Sequence, residues 1–127
     1  MIDKSISLSK TQLSVMRALW EKGESDTQMV CDALSTKTKT PAYTTVSTLL
    51  KRLERRGLIT HSRVGRKQLF RALVSEQDVQ TSMVAELIGS VFKGDSRALV
   101  SHLIKEKEIK PGDLETLQEM IKKGKKS

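Results

Sequence analysis

Thr44, Thr45, Ser47 and Thr48 are followed, a turn or two further along the chain, by Lys51, Arg52 and Arg55. Short hydroxyl side chains let a backbone approach base edges closely; their oxygens donate or accept, and a threonine methyl can meet a thymine methyl. Long cationic side chains suit phosphate oxygens. A second basic group, Arg63, Arg66 and Lys67, lies just downstream, and between positions 51 and 71 eight Lys and Arg face a single acid, Glu54. Small polar groups for bases beside cations for a backbone are the chemistry of nucleic-acid recognition. The plain alternative is a solvated basic face.

Other chemistries find little material. There is no glycine-rich phosphate loop, no nucleophile elbow and no pair of catalytic carboxylates, so no enzyme and no cofactor is expected. His61 and His102 lie far apart, without the cysteine or carboxylate spacing of a metal site, and no metal is expected. Either histidine would be a pH-sensitive interface group only exceptionally. His61 falls in a strand, and His102 reads as a polar position on an assembly helix. Cys31 flanks the inward side of a short helix and reads as small apolar filler rather than a redox sensor.

The elements that must position the polar and basic residues follow from local signals. Ser9 with Gln12 is a capping box opening a helix along Leu13, Met16, Leu19 and Trp20, which Gly23 ends. Ser25 or Asp26 caps a second helix with Val30, Ala33 and Leu34 inward. Pro41 is placed to open a third, whose buried stripe is Val46, Leu49, Leu50 and Leu53. At 100° per residue the opposite side carries Thr44, Thr48, Lys51 and Arg55, flanked by Thr45, Ser47 and Arg52, with no acid among them. Gly57 stops this helix. Two strand-like segments, Leu58 to Ser62 and Lys67 to Leu73, then flank Val64-Gly65-Arg66, a tight hairpin that puts Arg63, Arg66 and Lys67 at its tip.

The chain of 127 residues has a net charge of +8, and the charge is unevenly placed. Positions 1–74 hold 14 Lys and Arg against 6 acids, whereas 75–127 hold 9 of each. In the second part Ser75 and Asp78 open a helix with Val79, Met83, Leu87, Ile88, Val91 and Phe92 on its stripe as far as Gly94. Asp95 or Ser96 caps another, and Pro111 starts the last, with Leu114, Leu117 and Ile121, before a solvated tail from Lys122 to Ser127. So small a segment, without disulfide or metal, seldom stabilises itself. A second copy is the simplest cover, through Val84, Leu87, Ile88, Val91, Leu99, Val100, Leu103, Ile104, Leu114, Leu117 and Ile121. Folding back on the chain's own first part is the rival arrangement.

The expected architecture is therefore mainly α with a small β-hairpin wing: a winged helix-turn-helix domain over 1–74 and a helical dimerisation segment over 75–127 with a basic tail. No apolar stretch suits a signal peptide or a membrane span, and a lone cysteine fits a reducing compartment, so the expected setting is the cytoplasm. The expected partners are double-stranded DNA and a second copy, with two reading helices on a palindrome whose half-sites lie ~34 to 36 Å, or a multiple, apart. A winged-helix module that binds protein without DNA specificity is the competing reading.

The residues also resemble a known family. Leu8-Ser9, Val15-Met16, Leu19-Trp20-Glu21-Lys22-Gly23, Tyr43-Thr44-Thr45-Val46, Thr48-Leu49-Leu50, Arg52-Leu53, Gly57-Leu58-Ile59, Gly65-Arg66, Leu73-Val74-Ser75 and Phe92-Lys93-Gly94 together look like the penicillinase-repressor (BlaI/MecI/CopY) family of bacterial winged-helix regulators. That resemblance implies a dimeric repressor on operator DNA, released in several members by a sensor protease that cuts within the dimerisation segment. Two departures stand out. The paired Cys-x-Cys motifs of the copper-binding members are absent, which excludes copper sensing by that route. His102-Leu103 also stands where the antibiotic-resistance repressors carry a scissile Asn-Phe, so the regulatory protease or ligand is left open.

Overall fold

The structure, a computed structural model, describes residues 6–124, with side chains through Met120. The elements run α1 (Lys10–Lys22), α2 (Thr27–Leu34), α3 (Tyr43–Arg55), β1 (Ile59–Val64), β2 (Lys67–Ala72), α4 (Glu76–Ser90), α5 (Ser96–Lys105) and α6 (Pro111–Gly124). They fall into two compact units, Met1–Glu86 and Leu87–Ser127, the division lying within α4.

In the first unit the capping box at α1 is complete: Ser9 Oγ accepts from the Gln12 amide at 3.2 Å, and Gln12 Oε1 accepts from the Ser9 amide at 3.1 Å. At α2 the cap is Asp26, whose carboxylate accepts from the Met29 amide at 2.8 Å. Ser25 is buried instead and exchanges two backbone hydrogen bonds with Phe70 of β2, at 3.0 and 2.8 Å. The inward face of α2 differs from the sequence expectation. Thr27, Val30 and Cys31 are buried, Leu34 packs against the core and Ala33 is exposed. Starting the helix at Thr27 makes 27, 30, 31 and 34 the i, i+3, i+4, i+7 stripe and leaves Ala33 at its edge.

The third helix begins at Tyr43, two residues later than the proline suggests. Ala42 is its N-cap, in extended conformation and with no side-chain acceptor, so Pro41 closes the preceding loop. At the other end the Leu58 amide donates to the Leu53 carbonyl at 3.1 Å and the Gly57 amide to the Glu54 carbonyl at 3.0 Å. This is a Schellman motif, and Gly57 holds its required left-handed position at φ +80°.

The strands pair antiparallel from Ile59 opposite Ala72 to Val64 opposite Lys67. Gly65 and Arg66 alone form the turn; Gly65 has φ +65°, a value that favours glycine. A two-residue turn lets pairing run to Val64, so β1 ends later than Ser62, while Leu58 belongs to the helix stop. The core of this unit joins Val15, Met16 and Leu19 of α1 to Val30, Val46, Leu50, Leu53, Leu58, Ile59 and Phe70.

The start of α4 packs on the same core. Ser75 and Asp78 cap each other's amides at 3.0 Å, Val79 is buried and Met83 half-buried. Trp20 Nε1 donates to the Val74 carbonyl at 2.9 Å, and the Ile6 amide donates to Ser82 Oγ at 2.6 Å.

In the second unit α4 ends at Ser90 and not near Gly94. The Val91 and Phe92 amides both turn back to the Leu87 carbonyl, and Lys93 and Gly94 take positive φ, which stops the helix. Asp95 caps α5, accepting from the Arg97 and Ala98 amides at 3.0 and 3.3 Å. Pro111 opens α6, whose backbone stays helical through Gly124, so 122–124 are helix rather than tail; 125–127 lie outside the described residues. No described side chain of this unit is fully buried.

Candidate nucleic-acid interface

The apolar stripe of α3 fixes which residues its other side presents. With Val46, Leu50 and Leu53 fully buried and Leu49 packed beside them, Thr44, Thr45, Thr48, Lys51, Arg52 and Arg55 are exposed and Ser47 is half-buried. None of these cations forms an ion pair with a described acid. Thr48 Oγ1 donates back to the Thr44 carbonyl at 2.9 Å. Its hydrogen is committed to the helix, so Thr48 offers lone pairs and a methyl group outward. The uncapped start of α3 also leaves first-turn amides without a side-chain acceptor, in the geometry that favours an anion.

The hairpin carries the second basic group. Arg63, Arg66 and Lys67 are all exposed at its tip. Lys67 Nζ is 3.8 Å from the Asp26 carboxylate, so its charge is partly shared with the cap of α2. A polar cleft of about 280 Å³ joins the wing to the starts of α2 and α3, with Tyr43, Gln28 and Gln68 among its walls beside the three cations. Tyr43 was not singled out by charge or hydroxyl pattern, yet it is 55% exposed on the first residue of α3. Helical spacing pairs it with Val46 at i+3 and Leu50 at i+7 and so reads it as inward; its exposure comes from its place on the first turn, beside the wing.

His61 lies in β1, as its sequence position suggests. Its Nδ1 is 2.6 Å from Glu54 Oε2, and its ring tilts against Phe70 with centroids 5.4 Å apart. His102 is exposed on α5, edge-on to Phe92 at 6.2 Å. Cys31 is buried, and burial first, then the charge of Asp32, pushes its thiol pKa up. A protonated, covered thiol is a poor nucleophile, in keeping with a packing role. Among the described residues no three His, Cys, Asp or Glu cluster to hold a metal ion, and no helix is long and apolar enough to cross a membrane.

Of the apolar residues assigned to assembly, Val84, Leu87, Val91, Val100, Ile104 and Leu117 are exposed, and Ile88, Leu99, Leu103 and Leu114 are half-buried. The Ile121 side chain lies outside the described residues. Met120, 61% exposed on α6, joins this set and escaped the sequence reading.

Three helices, the third with an exposed hydroxyl and basic face, followed by a basic antiparallel hairpin, define a winged-helix DNA-binding protein. The chain belongs to the penicillinase-repressor family, whose model matches residues 8–123. Over 123 residues it is 23% identical to the methicillin resistance regulatory protein MecI of Staphylococcus aureus (strain N315), covering 97% of this chain and 99% of that protein. It is also 23% identical to the penicillinase repressor of Bacillus licheniformis over 118 residues, covering 93% and 91%. The solution structure of the DNA-binding domain of the repressor BlaI matches 61% of this chain and 93% of that domain, with a TM-score of 0.52 and 31% identity. The family is one of transcriptional repressors and not of enzymes.

Proposed function

We propose that this chain represses transcription as a homodimer that sets two winged helices on a palindromic operator in double-stranded DNA. The observation that carries the DNA reading is the exposed, acid-free face of α3, Thr44, Thr45, Thr48, Lys51, Arg52 and Arg55, beside Arg63 and Arg66 of the wing. The hydroxyl residues near the helix start meet base edges; the cations further along and in the wing meet phosphates. The assembly reading is supported by the apolar residues left uncovered on α4, α5 and α6 and by the lack of any fully buried side chain among the described residues from Leu87 onward. A second copy laid on them by twofold symmetry would bury them and link two half-sites, raising the local concentration of the second reading helix.

Release from the operator is assigned to a ligand, partner or protease other than a β-lactam-type sensor, because His102-Leu103 stands where the family resemblance implies a scissile Asn-Phe pair. The decisive experiment is a gel shift of the full chain on random and on selected duplexes at low and moderate salt. A DNA-binding repressor binds both, prefers the selected site, and loses affinity steeply as salt rises. A protein-interaction module would bind neither.

A further inference from the structure

Glu54 is the one acid among the eight cations of positions 51–71. It stands on the last turn of α3, beside Arg55 and one turn after Lys51, where a free carboxylate would oppose an approaching phosphate. None of those cations holds it: no described Lys or Arg lies within salt-bridge distance of its carboxylate. His61 of β1 does, through Nδ1 at 2.6 Å from Oε2. A carboxylate only accepts, so Nδ1 carries the hydrogen.

The imidazole is itself held from the hairpin side. It tilts against Phe70, its cross-strand partner, which is buried, and its Nε2 faces Gln68 Nε2 of β2 at 3.5 Å. Both members of the pair are only 31% exposed, so solvent competes less for the bond than at an open surface. The alternation of a strand puts Arg63 on the same side of β1 as His61, next to this junction.

We infer that His61 is a positioning residue for DNA binding: it draws the Glu54 carboxylate out of the phosphate path and fastens the wing to the end of α3. Lys51, Arg55 and Arg63 then meet the backbone without a competing acid. This rests on the DNA-binding reading above.

The test measures affinity of the full chain, wild type and variants, for one selected duplex of roughly three helical turns. His61→Ala frees Glu54 and weakens binding about five- to tenfold, as expected for one unmasked like charge beside phosphates. Adding Glu54→Gln to that variant restores affinity to within about twofold of wild type, since the charge and not the ring is what matters. Glu54→Gln alone, which keeps an acceptor for His61, binds at least as tightly as wild type. No rescue in the double variant would assign His61 to packing on Phe70 and overturn the inference; so would a His61→Ala that binds like wild type, or a severalfold loss in Glu54→Gln. Should His61→Ala not fold, His61→Gln keeps a donor and is expected within about twofold of wild type, a severalfold loss there counting against the inference. A wild type that fails to bind any duplex removes the DNA reading itself, whereas wild-type binding without rescue removes only the role of His61.

Discussion

The Thr48 hydroxyl donates its hydrogen to the Thr44 carbonyl at 2.9 Å, one turn back along α3. That bond commits the hydroxyl hydrogen to the helix, so the exposed side chain has a methyl and oxygen lone pairs left for the face proposed to meet bases. Thr48→Val keeps methyl groups and loses only an inward hydrogen bond that is close to neutral for helix stability. Thr48→Ser keeps the hydroxyl and loses the methyl. If the contact is to a thymine methyl, Val should hold the preference for a selected site over random DNA, while Ser and Ala lose on the order of fivefold of it. Competition binding with both duplexes measures this. The opposite order, Ser retaining and Val losing, would make the hydroxyl the reading group.

The unpaired cations should act through phosphates. Lys51→Ala, Arg55→Ala and Arg66→Ala are each expected to weaken selected and random DNA about equally and to reduce the slope of log affinity against log salt by about 0.9. Lys67→Ala should cost less, because Asp26 at 3.8 Å already takes part of that charge. Titrations at several salt concentrations resolve the four slopes. A change in specificity in any of these variants would move that residue from backbone to base contact.

The boundary of the reading domain can be tested by truncation. A fragment ending at Val74 lacks Val79, Met83 and the Ser82 hydroxyl that accepts from Ile6, all of which complete the core around α1. Burial of a valine side chain contributes about 1.5–3 kcal/mol, so a fragment ending at Glu86 should melt well above one ending at Val74. Thermal unfolding of the two compares them directly, and equal midpoints would show that the start of α4 adds nothing. Both fragments should bind a palindrome less tightly than the full chain.

Most of the architecture was legible because local signals and burial agreed. The Ser9–Gln12 and Ser75–Asp78 boxes, the Gly57 stop and the Val46, Leu50, Leu53 stripe each combine a specific hydrogen-bonding or conformational demand with periodicity. Where only one kind of signal was present, placement slipped. Pro41 suits a helix start, but with no capping side chain at Ala42 nothing local sets the first turn. Gly94 suits a stop, yet the helix breaks at Ser90 because Lys93 also adopts positive φ, which no residue-type rule would assign to a lysine. The candidate site divides in the same way. The α3 face follows from helical spacing alone, whereas the Glu54–His61 pair and the cleft beside Tyr43 depend on how the hairpin folds back, a contact that joins residues by tertiary packing.

For assembly, side-chain exposure on α5 makes a clean variant available. On α5, Leu99 and Leu103 are half-buried, whereas Val100 and Ile104 are exposed at 44% and 43%, one turn apart on one side. An aspartate at an exposed position leaves the monomer's packing largely intact, whereas the same charge buried unpaired in an interface costs several kcal/mol. Ile104→Asp should therefore sediment as a monomer at micromolar concentration, where the wild type sediments as a dimer, with little change in the unfolding midpoint of the first unit. Its binding to an isolated half-site should be unchanged, and its binding to the full palindrome should fall by about 10²-fold or more as the linked second contact is lost. An Ile104→Asp protein that still sediments as a dimer would move the seam off this face of α5. A wild type that is monomeric while binding the palindrome at full strength would remove the dimer from the proposed mechanism.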